Sequence, residues 1–355
     1  MREALRLTQA GDATGATRMI QAMLAGGKQA DAQTEAGASP ALVDGGLIDL
    51  TAETVHVSAA ADRPTAAKPS SGKMPPEPAT AGFADAVFRS EAGVLHYKLF
   101  LPTDLPANAP LLVMLHGCTQ TPDDFARGTG MNAHAAERGF AVAWPAQAQG
   151  ANVQRCWNWF EKKHQARGKG EPALLAGMTQ ALVAGHGLDG RRVFIAGLSA
   201  GGAAAAVMAA AYPDVYAGVG VHSGLACGAA SDMAGALKAM NSGRGGKGKP
   251  RGFVPTIVFH GDADTTVNKA NGEEVFADAV AAAGGLLTVQ TNAGSAGGAG
   301  YRHSVARDAS GRSRAEKWSI KGGQHAWSGG SRAGSYADPR GPDASREMVR
   351  FFLEL

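Results

Sequence analysis

The sequence predicts a three-layer α/β fold with a mostly parallel central sheet, and three observations carry the prediction. Continuous apolar runs that end at glycine or proline recur along the chain, as in PLLVMLHG at 110–117, GFAVAWP at 139–145 and RRVFIAG at 191–197. A strand buried on both faces reads this way. Segments of helical periodicity lie between them and supply the crossovers that parallel strands require. The 355 residues are 45% hydrophobic and 18% charged, which leaves apolar chain to cover such a sheet on both sides.

Taken in order, residues 1–28 are expected to form a short helical hairpin. Leu5 and Leu7 belong to its first helix, while Ala16, Met19, Ile20, Met23 and Leu24 recur at helical spacing in the second. Residues 29–82, rich in Pro, Ala, Ser and Lys, read as a flexible linker. The α/β domain is expected over 83–355. Its strands fall at 94–101, 110–117, 139–145, 191–197, 253–261 and 315–323, and its helices at 131–138, 174–187, 203–213, 271–285 and 342–355. Glycine, at 49 residues, is about twice its usual share of ~7%, which implies many tight turns.

Net charge is +3 with scattered basic residues, too weak a field to make nucleic acid the main partner. The basic stretch at 244–251 reads as a solvated connection between elements. No apolar run approaches the ~18–20 residues of a membrane span. Charges at Arg2, Glu3, Arg6, Asp12 and Arg18 interrupt any apolar segment near the N-terminus, so no export signal is read there. The three cysteines, Cys118, Cys156 and Cys227, lack metal-binding spacing.

The strongest chemical signal is Gly197-Leu198-Ser199-Ala200-Gly201, a G-x-S-x-G run between an expected strand and an expected helix. A serine on such a sharp turn needs neighbours without side chains, and the helix behind it offers free N–H groups to developing negative charge. An acid and a histidine should follow in that order, each after a later strand. Asp262 and Asp264 follow the run 253–261, and the residues alone leave the choice between them open. His325 follows the run 315–323 and is preferred over His303, which neighbours a glycine-rich stretch. The Ala200 N–H is expected as one oxyanion donor and the Cys118 N–H, in the LHGC segment, as the other. A Cys118 thiol nucleophile paired with His116 is set aside, because the serine arrangement is complete without it.

Together the segments LHGCTQTPDDFARGTGMNAHAAERGFAVAWPAQ, NVQRCWNWF, VFIAGLSAGGAAAAVMAAAYPDVYAGVGVHSG, HGDADTTVN and GGQHAWSGG resemble the poly(3-hydroxybutyrate) depolymerase family of esterases. The resemblance spans about 83–355 and implies an α/β-hydrolase fold with Ser199 as nucleophile, Asp264 rather than Asp262 as acid, and His325 as base. It implies a Cys118–Cys156 bridge, no metal or organic cofactor, and a small ester or short polyester as substrate. Feruloyl and acetylxylan esterases share a similar core and are the alternative; a binding protein on a hydrolase scaffold is a remoter one. Trp157, Asn158 and Trp327 are expected in the substrate cleft, with Trp159 read equally as core. The chain stops at Leu355 just after its last expected helix, which leaves no room for the C-terminal granule-binding domain of secreted polymer depolymerases and directs the expectation to oligomers, amorphous chains or soluble esters. The resemblance and the bridge point to an extracellular or periplasmic location and the N-terminus to a cytoplasmic one; the oligomeric state is open.

Overall fold

The structure, a computed structural model, describes residues 82–243 and 252–355. The expected hairpin (1–28), the expected linker up to residue 81 and the basic stretch 244–251 lie outside the described residues.

Ten strands form one sheet: β1 (Gly82–Ser90), β2 (Gly93–Leu101), β3 (Leu111–Leu115), β4 (Ala141–Ala146), β5 (Val193–Leu198), β6 (Gly218–His222), β7 (Thr256–Gly261), β8 (Thr288–Ala296), β9 (Ala299–Arg307) and β10 (Ser313–Ile320). Their spatial order is β1-β2-β4-β3-β5-β6-β7-β10-β9-β8. Neighbours from β4 across to β10 run parallel, and antiparallel pairs close each edge. Strands β3, β5, β6 and β7 are buried along their whole length, which is why β3, β5 and the IVF stretch of β7 run apolar without alternation.

The two-residue period of a strand splits these side chains between two cores. Leu111, Val113, Val193, Ile195 and Val258 point to one face, beneath α3 (Gly170–His186) and α4 (Ala200–Ala211). Leu112, Met114, Phe194, Ile257 and Phe259 point to the other, beneath α1 (Pro122–Thr129), α2 (Met131–Arg138) and α7 (Ala344–Leu353). Helix α6 (Ala270–Ala283) reaches the first core through Val275. This is the three-layer arrangement that the alternation of runs predicts.

Several elements escape a reading by periodicity. Strand β6 reads GVGVH, a glycine-broken run, because a Cβ at Gly220 would lie 2.8 Å from Met348 Sδ and 2.9 Å from Ala196 Cβ. Close packing of α7 demands those glycines. Strand β8 is mostly exposed, so it lacks an apolar stripe; the signal of the β8–β9 hairpin is the turn Gly297-Gly298, both at positive φ. Strand β1 is an edge strand with the same weak patterning. Helix α5 (Met233–Ser242) is short, and its mark is Asp232, whose side chain accepts the Gly235 N–H at 2.7 Å.

Candidate active site

The turn between β5 and α4 carries Ser199 at φ 58°, ψ −119°, a conformation that L-residues seldom adopt. Its N–H donates to His222 O at 2.9 Å, tying the turn to β6. The flanking glycines are sterically required: a Cβ on Gly201 would fall 2.0 Å from Leu115 O, and one on Gly197 2.4 Å from the Gly201 backbone. Ala200 opens α4, so its N–H belongs to the free amides of a helix N-terminus.

Asp264 lies on the loop leaving β7. Its Oδ1 accepts the N–H groups of Thr266 (2.9 Å) and Val267 (2.8 Å), and its Oδ2 accepts His325 Nδ1–H at 2.7 Å. Burial pushes the Asp264 carboxyl up, but the hydrogen bonds it accepts from His325 and from the Val267 N–H outweigh it and hold the carboxyl below its ordinary value. With Nδ1 committed to Asp264, Nε2 is the ring nitrogen of His325 that this contact leaves available. Ser199 and His325 line the same cleft, of about 220 Å³. Asp262 does other work. It is exposed, and its Oδ1 accepts the Gly322 N–H at 2.7 Å, bracing the turn that precedes His325. His303 lies on β9, stacked on Trp318 at 3.8 Å and bonded to the buried Glu316 at 2.9 Å, as part of an ion cluster with Arg350.

Three histidines beneath the site are buried and neutral. His116 Nε2 accepts the Gln147 N–H (3.1 Å), so Nδ1 carries the proton to Gly117 O (2.7 Å); burial depresses its pKa to about 4. His222 accepts the Ser328 N–H through Nε2 at 3.0 Å, and burial again depresses its pKa. His260 donates through Nε2 to Val267 O at 2.9 Å, with its pKa lowered chiefly by burial. Each is depressed relative to the unfolded chain, so the unfolded state takes up protons first as pH falls. Stability is therefore expected to be complete above pH ~6.5 and to decline toward pH 4. Urea unfolding midpoints measured across that range check this; a flat profile would contradict the neutral assignments.

Cys118 and Cys156 form a disulfide. It joins the loop after β3 to the segment 152–160, and the chain-entropy model values such a closure, spanning 38 residues, at about 4 kcal/mol. Thr119 N–H also donates to Gln154 O at 2.7 Å, a second tie between the same segments. Among the described residues neither the Cys118 nor the Ala200 N–H donates to a protein acceptor, and both residues line the cleft.

The expected cleft residues Trp157, Asn158 and Trp327 require correction. Trp157 is 1% exposed, with its indole N–H donated inward to His116 O at 3.1 Å. Trp327 is 1% exposed, bonded to Ser345 Oγ at 3.0 Å and stacked on His222. Asn158 is held by Glu171 through its backbone N–H (2.8 Å) and its amide (2.7 Å). All three brace the loops from behind, because their polar atoms find partners in the interior. The apolar wall comes instead from Trp159, Phe160 and the α5 stripe Met233, Ala236, Leu237 and Met240. That i, i+3, i+4, i+7 spacing was the available signal.

Residues 95–302 match the family described as esterase PHB depolymerase. The chain is 36% identical to poly(3-hydroxyalkanoate) depolymerase C of Paucimonas lemoignei over 67% of its own length, and spans 60% of that relative's length. It is 31% identical to feruloyl esterase B of Neurospora crassa over 36% of the chain and 43% of the relative. Among solved structures, the acetyl xylan esterase from Aspergillus awamori superposes with a TM-score of 0.59 at 18% identity, covering 74% of this chain and 94% of that one, a likeness of fold. With the family matched over more than half its length and the α/β-hydrolase sheet in place, the chain belongs to the esterase PHB depolymerase family.

Proposed function

We propose that this chain is a serine esterase that hydrolyses 3-hydroxyalkanoate oligomers or accessible polyester through Ser199, His325 and Asp264. The observation that carries the reading is the 2.7 Å Asp264–His325 bond beside a strained strand-to-helix serine, with serine and histidine facing one apolar cleft. In this mechanism Ser199 Oγ attacks the ester carbonyl while His325 Nε2 takes its proton, and Asp264 stabilises the imidazolium. The Cys118 and Ala200 N–H groups receive the oxyanion. The alcohol leaves with the proton from His325; water then attacks the acyl-enzyme, His325 again serving as base, and the acid is released. The polyester assignment follows the longer of the two curated similarities, that to the poly(3-hydroxyalkanoate) depolymerase. The disulfide supports an oxidising compartment outside the cytoplasm as the working location.

Initial rates on soluble 3-hydroxybutyrate oligomers, methyl ferulate and acetylated xylan, with Ser199→Ala as blank, test the substrate class. Oligomers are expected to be cleaved fastest. Preference for ferulate or acetyl esters would move the chain to carbohydrate esterase chemistry, and no turnover on any of them would overturn the reading.

A further inference from the structure

We propose that Gln154 is a substrate-positioning residue whose side-chain amide donates a hydrogen bond to an acceptor oxygen beyond the scissile ester, the carbonyl of the neighbouring ester in a polyester chain. The inference rests on the serine-esterase reading and deepens it by naming what the substrate must carry. Gln154 is 9% exposed, and its Nε2 is buried without a hydrogen-bond partner. Buried donors are normally paired, and leaving one unmade is costly. Among the described residues with such an unpartnered atom, Gln154 is the one that lines the catalytic cleft.

Its neighbours do not explain it. The Gln154 Oε1 lies 3.8 Å from Cys156 Sγ, but a bridged sulfur has no hydrogen to give. The adjacent Asn152, also on the cleft, is fully used: its Oδ1 accepts the N–H groups of Gln154 and Cys156, and its Nδ2 donates to Cys156 O and Asn158 Oδ1. The Gln154 backbone is fastened through its carbonyl to Thr119, next to the Cys118 donor, so the amide is held on a rigid segment of the oxyanion side. The α5 wall carries only Met, Leu and Ala side chains. An apolar wall with one unpartnered amide at its margin, which a turn of the Gln154 side chain presents to the cleft, suits a chain in which methylenes and ester carbonyls alternate, whereas a simple alkyl ester leaves the donor unmet.

The test compares esters that differ only in that carbonyl-bearing group. On the acyl side the pair is p-nitrophenyl 3-acetoxybutyrate and its hydrocarbon isostere, p-nitrophenyl 3,5-dimethylhexanoate. On the alcohol side it is methyl 3-(butyryloxy)butanoate and 4-methylhexan-2-yl butyrate. The wild-type kcat/KM ratio should favour the oxygenated member of at least one pair, and Gln154→Met should lower that ratio by about 5- to 30-fold. Gln154→Glu, which keeps the shape but replaces the donor with an acceptor, should lower it as well and serves if the methionine variant fails to fold. A purely structural role would slow both members of a pair together, so ratios unchanged within about twofold overturn the assignment. Absence of Ser199-dependent hydrolysis of every ester overturns the underlying reading instead, and this one with it.

Discussion

Ser199→Ala is expected to lose about 10⁶ in kcat with little change in the unfolding midpoint, the scale seen when a member of a cooperating triad is removed. The geometry explains both halves. Removing Oγ abolishes the acyl-enzyme route, while alanine is smaller and keeps the backbone N–H that donates to His222 O. The strained φ of 58° belongs to the turn and is shared by both variants. Measured kcat and a urea melt together check the expectation; retention of more than a few per cent of activity would reassign the nucleophile.

Asp264→Asn is expected to lower kcat by about 10⁴, whereas Asp262→Asn should change it by no more than a few-fold. The two carboxylates are two residues apart and differ in what they hold. Asp264 Oδ2 receives His325 Nδ1–H, and an asparagine amide in that place would donate to Nδ1, moving the ring proton to Nε2 and leaving no base for Ser199. Asp262 accepts only a backbone N–H, from Gly322, through an oxygen that asparagine also has. The same contacts make Asp264 a pH-dependent contributor to stability. Its folded pKa is depressed, so its stabilisation is present above the ordinary carboxylate pKa and lost as pH falls through the lower folded value. Asp264→Asn should flatten that acid limb. Equal kinetic losses from the two variants would leave the acid unassigned.

The parts of the molecule legible in its sequence are those where one residue type answers one local demand. Doubly buried strands must be apolar throughout, so β3, β4, β5 and β7 stand out as runs. A serine at positive φ between two close backbone approaches must be flanked by glycine, so Gly197 and Gly201 mark the turn without any structure. What periodicity alone could not separate were demands set by distant neighbours. Asp262 and Asp264 occupy equivalent places after the same strand, and only the fold brings His325 to one of them and Gly322 to the other.

Tryptophan behaved likewise. Trp157 and Trp159 are two residues apart in one irregular segment, where no strand or helix period sets which way a side chain faces: the first turns to His116 O in the interior, the second to the cleft. Sequence by itself determined the layered fold and placed Ser199, the candidate carboxylates Asp262 and Asp264, and His325 in that order after successive strands, because backbone sterics and burial act on nearest neighbours. The tertiary structure alone decided which tryptophans brace and which line, that α5 walls the cleft, and that Gln154 keeps an unspent donor there, because those facts depend on which loops meet at the carboxyl edge of the sheet.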